Sequence, residues 1–575
     1  MEKLLNEENE WDGEVEAGKK EGPECEICKE EVEWVMRRMK TGKAAGQSGI
    51  VTEMIKAMGE DGVIWMTEIC NRIVRERRIP EDWQRSVLVP IYKGKGDPLE
   101  CGSYRAIKLL EHGMKILEKV LERRIRQIVE LDGMQFGFTP GRGTTDAIFI
   151  VRQLQEKFRA KGRPLYYAFV DLEKAYDRIP REVVRWALRD AGVDEWLVDT
   201  VMSTYKGART VVMTDDGVTE EFEVGVGLHQ GSALSPLLFI IVMDRVSRKV
   251  RGGLPWELLY ADDLVLMAQD LEELKERLRK WKRDMEAKGM RVNLGKTKVM
   301  WGGGDCRRDY GLKFPCAVCD KGVGSNSILC EKCEKWTHKK CSGVKGSLSK
   351  VKNFVCGRCK GIKSDGVEGS DKMEIEPGIS VERVDRFCYL GEMLGEEGGA
   401  ELAVKNRVGK AWGKFNTMAP LLCNKSVSGK VKGRLYTACV RSCLLYGSET
   451  WALTKEYQRK LENTENRMIR KMYGLREGIP VEKMRQEMGV MAINNAIKLG
   501  RLRWFGHVKR REEGNWVRRC MDMEIEGRNP KGRPKRTWRQ VVREDLRLMG
   551  VEEEEAEDRD CWRFRLDCMR FMANL

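Results

Sequence analysis

The pattern of apolar and polar positions predicts both strands and amphipathic helices along most of the chain. Apolar runs of strand length occur at residues 87–92 and 165–170, and two short runs lie within residues 258–267. Helical spacing follows, with Leu271, Leu274, Leu278, Trp281 and Met285 on one face of a helix that ends at Gly289. The mixture predicts an α+β chain, and 575 residues are enough for three or four domains.

Adjacent carboxylates separate the two short apolar runs, at Asp262 and Asp263. A tight connection there makes a hairpin whose two negative charges are costly to desolvate without a cation. Mg²⁺ takes such oxygen ligands. Asp171 ends another apolar strand, and three carboxylates from two adjacent strands can hold two divalent ions about 4 Å apart. Taken alone, Asp262 and Asp263 also fit a solvated turn, because Asp is common in turns.

A basic turn at residues 93–97 follows the first strand and precedes Arg105. A Lys/Gly loop beside a strand-borne Arg can clamp phosphates. The same residues, taken alone, favour a solvated hairpin. A Gly-rich loop at residues 135–142 leads into a helix capped by Thr144, Thr145 and Asp146.

The order of these segments resembles reverse transcriptases of non-LTR (LINE-type) retrotransposons, most closely the RTE-like group. The matching segments are residues 42–46, 93–97, 104–105, 135–142, 169–171, 230–232, 260–263 and 289–298. The resemblance covers about residues 30–300 and 380–545. It implies a right-hand polymerase of fingers, palm and thumb that extends a DNA primer on an RNA template with dNTPs.

The resemblance also implies roles for individual residues. Asp171 and Asp262 would bind two Mg²⁺ ions, with Asp263 as an auxiliary carboxylate. Either Lys296 or Lys298 would donate a proton to the pyrophosphate leaving group, and the sequence does not choose between them. The further residues implied at the nucleotide are Tyr176 as the gate against the ribose 2′-hydroxyl, Gln230 and Gly231 in the pocket, and Arg105 with Lys93 or Lys95 on the triphosphate.

Seven of the nineteen cysteines fall in one window with metal-site spacing, which indicates metal binding in a reducing compartment. The ligand set is Cys316, Cys319, Cys330, Cys333, His338, Cys341, Cys356 and Cys359. It resembles a PHD finger, whose cross-brace implies one Zn²⁺ on Cys316, Cys319, His338 and Cys341 and another on the remaining four. A segment this small needs metal to fold. Cys25 and Cys28 have no second pair nearby, so we expect no zinc there.

The finger is basic, with eleven Lys/Arg and three Asp/Glu between residues 313 and 360. This charge favours nucleic acid or a purely structural role over a histone tail. Trp336 alone is a poor case for a methyl-lysine cage, which needs several aromatic residues.

Two stretches near the C-terminus, residues 501–510 and 531–538, interleave basic and aromatic residues. Residues 498–538 together hold thirteen Lys/Arg against five Asp/Glu. Such a pattern suits RNA or single-stranded DNA, and a solvated helix face is the alternative. The second stretch also resembles an AT-hook or a nuclear localisation signal. The residues predicted to contact nucleic acid are Arg142, Arg501, Arg503, Trp504, Lys509, Arg510, Arg533, Lys535 and Arg536.

The predicted organisation runs from an acidic, disordered lead-in to a basic tail. Its segments are the lead-in 1–30, fingers and palm 31–300, PHD-like finger 305–365, linker 366–380, primer-grip-like hairpin 381–398, thumb 399–476 and basic nucleic-acid-binding region 477–575. Elements of the resembled type carry an endonuclease ahead of the polymerase. Because polymerase-like sequence starts near residue 30, we expect that nicking domain to be missing.

The formal charge of +15 favours a polyanionic partner, and no apolar run reaches the length of a membrane span. We therefore expect an RNA-directed DNA polymerase in the nucleus or cytoplasm, with RNA, a DNA primer and dNTPs as partners, two Mg²⁺ and two Zn²⁺ as cofactors, and chromatin as a further partner of the finger. The alternative is a catalytically silent relic that binds nucleic acid or chromatin through its finger and tail.

Overall fold

The computed structural model describes the chain except residues 14, 95, 303–315, 319–322, 324–325, 334, 345, 349–350, 352, 358, 360–371, 475–478, 531–533 and 573–575. The chain divides into two compact units. Unit 1 comprises Met1–Thr144, Phe169–Leu266 and Lys275–Thr297, and unit 2 comprises Thr145–Ala168, Met267–Leu274 and Lys298–Leu575. Every helix of the described residues is too short or too polar to cross a bilayer.

Helices dominate the described residues. They are α1 (Glu2–Leu5), α2 (Lys29–Arg38), α3 (Thr52–Ala57), α4 (Gly59–Glu76), α5 (Glu81–Gln84), α6 (His112–Ile128), α7 (Thr144–Ala160), α8 (Ala175–Arg178), α9 (Arg181–Asp190), α10 (Glu195–Ser203), α11 (Ser235–Ser247), α12 (Leu271–Glu286), α13 (Lys339–Ser342), α14 (Glu401–Leu422), α15 (Gly429–Leu435), α16 (Ser442–Leu445), α17 (Lys455–Met472), α18 (Val481–Met488), α19 (Ile493–Lys509), α20 (Trp516–Asp522), α21 (Trp538–Met549) and α22 (Arg559–Met572). A π-helical turn, Tyr436–Arg441, joins α15 to α16.

The strands are short and mostly paired with a neighbour in sequence. They are β1 (Arg85–Tyr92), β2 (Tyr104–Leu109), β3 (Leu165–Val170), β4 (Arg209–Thr214), β5 (Gly217–Val218), β6 (Phe222–Glu223), β7 (Glu257–Tyr260), β8 (Asp263–Ala268), β9 (Lys298–Gly302), β10 (Ser327–Leu329), β11 (Trp336–His338), β12 (Lys372–Glu376), β13 (Ile379–Arg383), β14 (Arg386–Tyr389) and β15 (Glu392–Gly395).

In unit 1, a five-stranded sheet has β1 at its centre. Strand β1 pairs with β2 antiparallel, with Ile91 opposite Arg105, and with β4 in parallel. Strand β4 continues the sheet to β5 and β6. Helix α6 buries Met114, Leu117 and Leu121, which recur every three or four positions on one face. Its polar positions lie mostly outside that stripe.

The hairpin predicted at residues 258–267 is present as β7 and β8. Leu258 lies opposite Val265, and Tyr260 lies opposite Asp263. This register leaves Ala261 and Asp262 as the two residues of the turn. Leu258 and Leu259, whose side chains point to opposite faces of the strand, are both 0% exposed, so both faces of the hairpin are covered. A fully covered strand has a continuous apolar run rather than an alternating one.

The lead-in at residues 1–30, predicted to be disordered, makes packing contacts in its described part. Leu5 is buried with Leu88 and Ala106 in an apolar cluster of unit 1. The Asn6 side-chain amide donates to the carbonyl oxygen of Glu223 at 2.8 Å. Ile27 is also buried. Two isolated apolar residues thus anchor a segment whose overall acidic composition suggested disorder.

Unit 2 contains the predicted thumb, but its core does not end at residue 476. Apolar residues of α14, α15, the π-helical turn, α16 and α17 share one core with those of α18 and the start of α19, for example Val481 and Ile493. Within this core Glu465 is fully buried and ion-pairs with Arg441 and Arg485, at 3.1 Å each. The boundary predicted between residues 476 and 477 is therefore not a domain boundary.

Two further predicted boundaries differ from the structure. Residues 145–168, expected in the fingers and palm, belong to unit 2. The described part of the predicted linker contains β12, which pairs with β13 and buries Met373 and Ile375. Alternate apolar residues in a short strand explain that difference. The range predicted for the primer-grip-like hairpin contains the antiparallel pair β14–β15.

Candidate active site and zinc-ligand clusters

Three carboxylates converge in unit 1. Asp171 follows β3, and Asp262 and Asp263 lie at the tip of the β7–β8 hairpin. Solvent reaches the latter two side chains, yet protein atoms crowd them. Burial raises the pKa of Asp262, and the negative charge of Asp171 raises it further. Burial together with the charges of Asp262 and Asp171 raises the pKa of Asp263 to about 6. Oxygen donors that repel one another in this way fit a divalent cation such as Mg²⁺.

The structure separates the two lysines that the sequence left as alternatives. The Lys296 ammonium group lies 3.1 Å from Asp171 Oδ2, and its side chain is 64% exposed. Lys298 lies in unit 2, where its ammonium group ion-pairs with Glu382 at 2.7 Å. Lys296 is therefore the lysine at the carboxylates.

Backbone contacts that the sequence did not reveal hold Asp171 in place. The Asn293 N–H donates to the carbonyl oxygen of Asp171 at 2.8 Å. The Asp171 N–H donates to Thr297 Oγ1 at 3.3 Å, and Leu172 forms a bridge with Val292. Residues 292–297 thus fix the backbone of Asp171 and bring Lys296 to it. These contacts explain why a segment without carboxylates belongs to the site.

Tyr176 has a fixed ring near the carboxylates. It stacks on Phe239 with ring centroids 4.3 Å apart and an interplanar angle of 16°. Its hydroxyl is buried without a hydrogen-bond partner among the described residues. Burial raises the pKa of Tyr176, and the charge of Asp262 adds to the effect. The hydroxyl is therefore neutral, and the ring is the part that can exclude a substituent.

The loop with Gln230 and Gly231 is held by its backbone. The Lys108 N–H donates to the Gln230 carbonyl oxygen at 2.7 Å, and Gln230 Nε2 donates to Asp177 Oδ1 at 2.7 Å. A Cβ on Gly231 would lie 2.2 Å from the Lys108 carbonyl oxygen, at a φ of +125°. Only glycine fits this close approach. Burial lowers the pKa of Lys108 to about 7.

Of the residues predicted to hold the triphosphate, Arg105 lies exposed on β2. Lys93 is exposed as well, and its ammonium group donates to the Gly102 carbonyl oxygen at 2.8 Å. Lys95 lies outside the described residues. The sequence allowed either a solvated hairpin or a phosphate clamp at these residues. The structure is compatible with both, because β1 and β2 form a hairpin and this hairpin carries the exposed cations Lys93 and Arg105.

The described residues among the predicted zinc ligands form two clusters in unit 2. Cys330, Cys333, Cys356 and Cys359 form one, and Cys316, His338 and Cys341 form the other, with the ligand atoms of each cluster within 4.8 Å of one another. Cys319 lies outside the described residues. Although burial opposes it, backbone N–H donors of Cys356, Cys333 and Lys332 lower the pKa of Cys330 to about 6. A thiol so readily ionised fits Zn²⁺.

The basic C-terminal residues are not all available to nucleic acid. Arg501 is 0% exposed and ion-pairs with Asp545, so its prediction as a nucleic-acid contact is wrong. Trp504 packs edge-on against Phe149 at 5.6 Å between ring centroids. These contacts could not be predicted from the sequence, because Asp545 and Phe149 are distant from Arg501 and Trp504 along the chain.

The other predicted contacts fall into two groups. Arg503 and Lys535 are exposed. Several others are held within the protein: Arg510 donates to the Ala556 carbonyl oxygen at 2.7 Å, Lys509 lies 3.8 Å from Glu557, Arg536 pairs with Glu544, and Arg142 donates to the Gln135 carbonyl oxygen at 3.0 Å. Arg533 lies outside the described residues.

The part of the chain that holds these carboxylates matches a known protein family. Residues 91–363 match the family model described as reverse transcriptase (RNA-dependent DNA polymerase). This part of the chain is thus similar to reverse transcriptases, and the match fits a right-hand polymerase of mixed helix and sheet. The predicted mixture of helices and strands is confirmed.

The relatives are proteins of mobile elements. The chain is 29% identical over 269 residues to the retrovirus-related Pol polyprotein from type-2 retrotransposable element R2DM of Drosophila melanogaster, covering 45% of this chain and 25% of that protein. It is 29% identical over 230 residues to the probable RNA-directed DNA polymerase from transposon X-element of the same species, covering 38% and 24%. It is 27% identical to the transposon TX1 uncharacterized 149 kDa protein of Xenopus laevis, covering 50% and 23%.

The chain thus spans about a quarter of the length of these relatives. A solved structure of apo telomerase from Candida tropicalis, truncated from its C-terminal domain, aligns with 46% of this chain and 57% of its own at 15% identity and a TM-score of 0.29. That similarity is too low to compare the two folds in detail.

Proposed function

We propose that this protein is an RNA-directed DNA polymerase of a non-LTR retrotransposon, of the RTE-like group, that extends a DNA primer on an RNA template. The observation that carries the proposal is the convergence of Asp171, Asp262 and Asp263, with the Lys296 ammonium group 3.1 Å from Asp171. Carboxylates beside a lysine suit phosphoryl transfer, where catalysis is positioning and charge neutralisation.

In this mechanism, Asp171 and Asp262 would hold two Mg²⁺ ions and Asp263 would assist them. The ions supply charge neutralisation and an activated 3′-hydroxyl when bound. Lys296 would donate a proton to the departing pyrophosphate, and its exposed ammonium group beside Asp171 supports this role. Tyr176 excludes a ribose 2′-hydroxyl with its stacked ring. Arg105 and Lys93 neutralise the triphosphate from the β1–β2 hairpin.

The test is primer extension on a poly-rA template with dTTP and Mg²⁺, with Asp262→Ala beside the wild type. The wild type should extend the primer, and Asp262→Ala should lose all measurable extension. Asp216→Ala, at an exposed turn position, is the matched control and should keep full activity. A folded wild type that extends no primer would overturn the polymerase proposal.

A second candidate function is nucleic-acid binding by a catalytically silent protein. Two observations favour it: the two zinc-ligand clusters and the exposed lysines of the same region, Lys332, Lys335 and Lys340. We propose that this region is a PHD-like finger with two Zn²⁺ and that its basic surface contacts nucleic acid. Binding of RNA that survives when extension fails would support this second candidate.

A further inference from the structure

Gln135 lies in the Gly-rich loop of residues 135–142 and has no role in the site as described so far. Its side chain is buried, with 1% of the residue exposed. Its Oε1 accepts two backbone hydrogen bonds, from the Gly137 N–H at 2.9 Å and from the Ala261 N–H at 3.1 Å. Ala261 directly precedes Asp262. One buried amide therefore connects the loop to the tip of the catalytic hairpin.

The orientation of this amide is determined by its neighbours. Both groups that face Oε1 are N–H donors, so a flipped amide would place its NH₂ group against two donors. In the observed orientation Nε2 is buried without a partner among the described residues. Leaving a buried donor unpaired is unfavourable. The local structure therefore keeps the Gln135 Oε1 acceptor against the Ala261 N–H, although this leaves Gln135 Nε2 without a partner among the described residues.

Ala261 needs such support because of its backbone. Its φ is +58°, a left-handed conformation that residues with a Cβ rarely adopt. Ala261 and Asp262 are the two turn residues between the paired Tyr260 and Asp263. The conformation of Ala261 therefore sets the direction in which the Asp262 side chain leaves the turn.

The Gly-rich loop also contacts the hairpin directly, through backbone hydrogen bonds next to Gln135. The Phe136 N–H donates to the Leu259 carbonyl oxygen at 2.8 Å, and the Leu259 N–H donates to the Met134 carbonyl oxygen at 3.0 Å. A Cβ on Gly137 would lie 2.4 Å from the Ala261 nitrogen. The loop and the turn are thus in contact through backbone atoms on both sides of Gln135.

We propose that Gln135 is a positioning residue for the metal-binding carboxylates: its Oε1 holds the Ala261 turn, so that Asp262 and Asp263 face Asp171. The inference rests on the proposed polymerase function. It assigns Gln135 no contact with substrate. Its effect reaches the reaction through the geometry of the turn.

The decisive variant is Gln135→Met, which keeps the length of the side chain and removes the acceptor. Backbone hydrogen exchange of a peptide covering residues 258–264 should become at least tenfold faster, because the Ala261 N–H loses its partner. Primer extension by the same variant should fall about 10- to 100-fold in kcat, with KM for dTTP unchanged. The Mg²⁺ concentration for half-maximal rate should rise.

Two further variants separate positioning from general loosening of the loop. Thr139→Val removes a side-chain hydrogen bond to the Gln135 carbonyl oxygen but leaves Oε1 in place, so exchange at residues 258–264 and kcat should stay at wild-type values. Gln135→Glu keeps an acceptor for both N–H groups, so it should keep the slow exchange.

The outcomes are distinct. Unchanged exchange and unchanged kcat in a folded Gln135→Met protein would overturn the positioning role, as would equal losses in Thr139→Val. If the wild type extends no primer, the polymerase proposal fails, and the exchange comparison alone then decides whether Gln135 holds the turn.

Discussion

At the residue scale, identical side chains in one segment have different surroundings. Lys296 and Lys298 are two positions apart, and each fits the family pattern for a proton donor. Lys296 is paired with Asp171, whereas Lys298 is paired with Glu382. Sequence spacing could not separate them, because each lysine is defined by a carboxylate that lies far away in the chain.

This difference predicts the effect of removing each ammonium group. Lys296→Met should lower kcat for primer extension about 10²-fold, because the leaving pyrophosphate loses its proton donor. Lys298→Met should keep kcat within about twofold, since its ammonium group is ion-paired with Glu382 at 2.7 Å and not with one of the three carboxylates. Single-turnover extension rates measure the difference, and equal losses in the two variants would contradict the assignment.

Tyr176 gives a second prediction at this scale. Because its ring is held by Phe239 and its hydroxyl has no partner among the described residues, the ring alone should exclude ribonucleotides. Tyr176→Ala should reduce discrimination between dTTP and UTP about 10- to 100-fold, while Tyr176→Phe keeps it. The ratio of kcat/KM values for the two nucleotides is the measurement. Relaxed discrimination in Tyr176→Phe would show that the hydroxyl is required after all.

At the element scale, short apolar runs predicted the strands and the hairpin that carry the three carboxylates, and the resemblance to a PHD finger predicted which Cys and His residues cluster. The features that the sequence did not predict depend on contacts between residues far apart in the chain. Gln135 supports Ala261 across a long sequence separation, and Arg501 is buried because Asp545 approaches it from another helix. A basic helix face with an aromatic residue looks the same in sequence whether it contacts solvent or a neighbouring helix, so the sequence could not separate exposed from buried residues of the basic tail.

The proposed zinc finger gives the first prediction at this scale. Cys356→Ser should lower the zinc content from two ions per chain to one, because it removes one of the four ligands of its cluster. Elemental analysis of the purified protein measures this content. Cys388→Ser changes an exposed cysteine outside both clusters and should leave two ions. A full complement of zinc in Cys356→Ser would contradict the ligand set.

Helix α7 gives a prediction about pH. Burial raises the pKa of Glu156 to about 7 in the folded protein, from an ordinary value of 4.5. The folded protein therefore binds the Glu156 proton more tightly than the unfolded chain does, so protonation of Glu156 stabilises the fold. This stabilisation is complete below pH 4.5 and is lost as the pH rises through 7. Glu156→Gln stays neutral and can still accept the Trp538 N–H. Its Tm should exceed that of the wild type by a few °C at pH 8.5 and by much less at pH 4.5.

The control for this pH effect is Glu512→Gln, at an exposed position. Its Tm should follow that of the wild type at every pH. A Tm difference for Glu156→Gln that shrinks as the pH rises would contradict the assigned direction, because it would mean that the folded protein stabilises the ionised carboxylate.

At the scale of the whole molecule, the excess of 105 Lys/Arg over 90 Asp/Glu favours a polyanion, but only cations that can reach phosphates contribute to binding. Arg501 and Arg503 provide a matched pair, since they are two residues apart on α19 and only Arg503 is exposed.

Arg503→Gln should reduce the slope of log K for RNA binding against log[salt] by about 1. Arg501→Gln should leave that slope unchanged and lower Tm, because Asp545 then stays buried without its partner. Fluorescence anisotropy between about 50 and 200 mM salt measures both slopes. A slope reduced by Arg501→Gln but not by Arg503→Gln would place the nucleic acid on a different face of this helix.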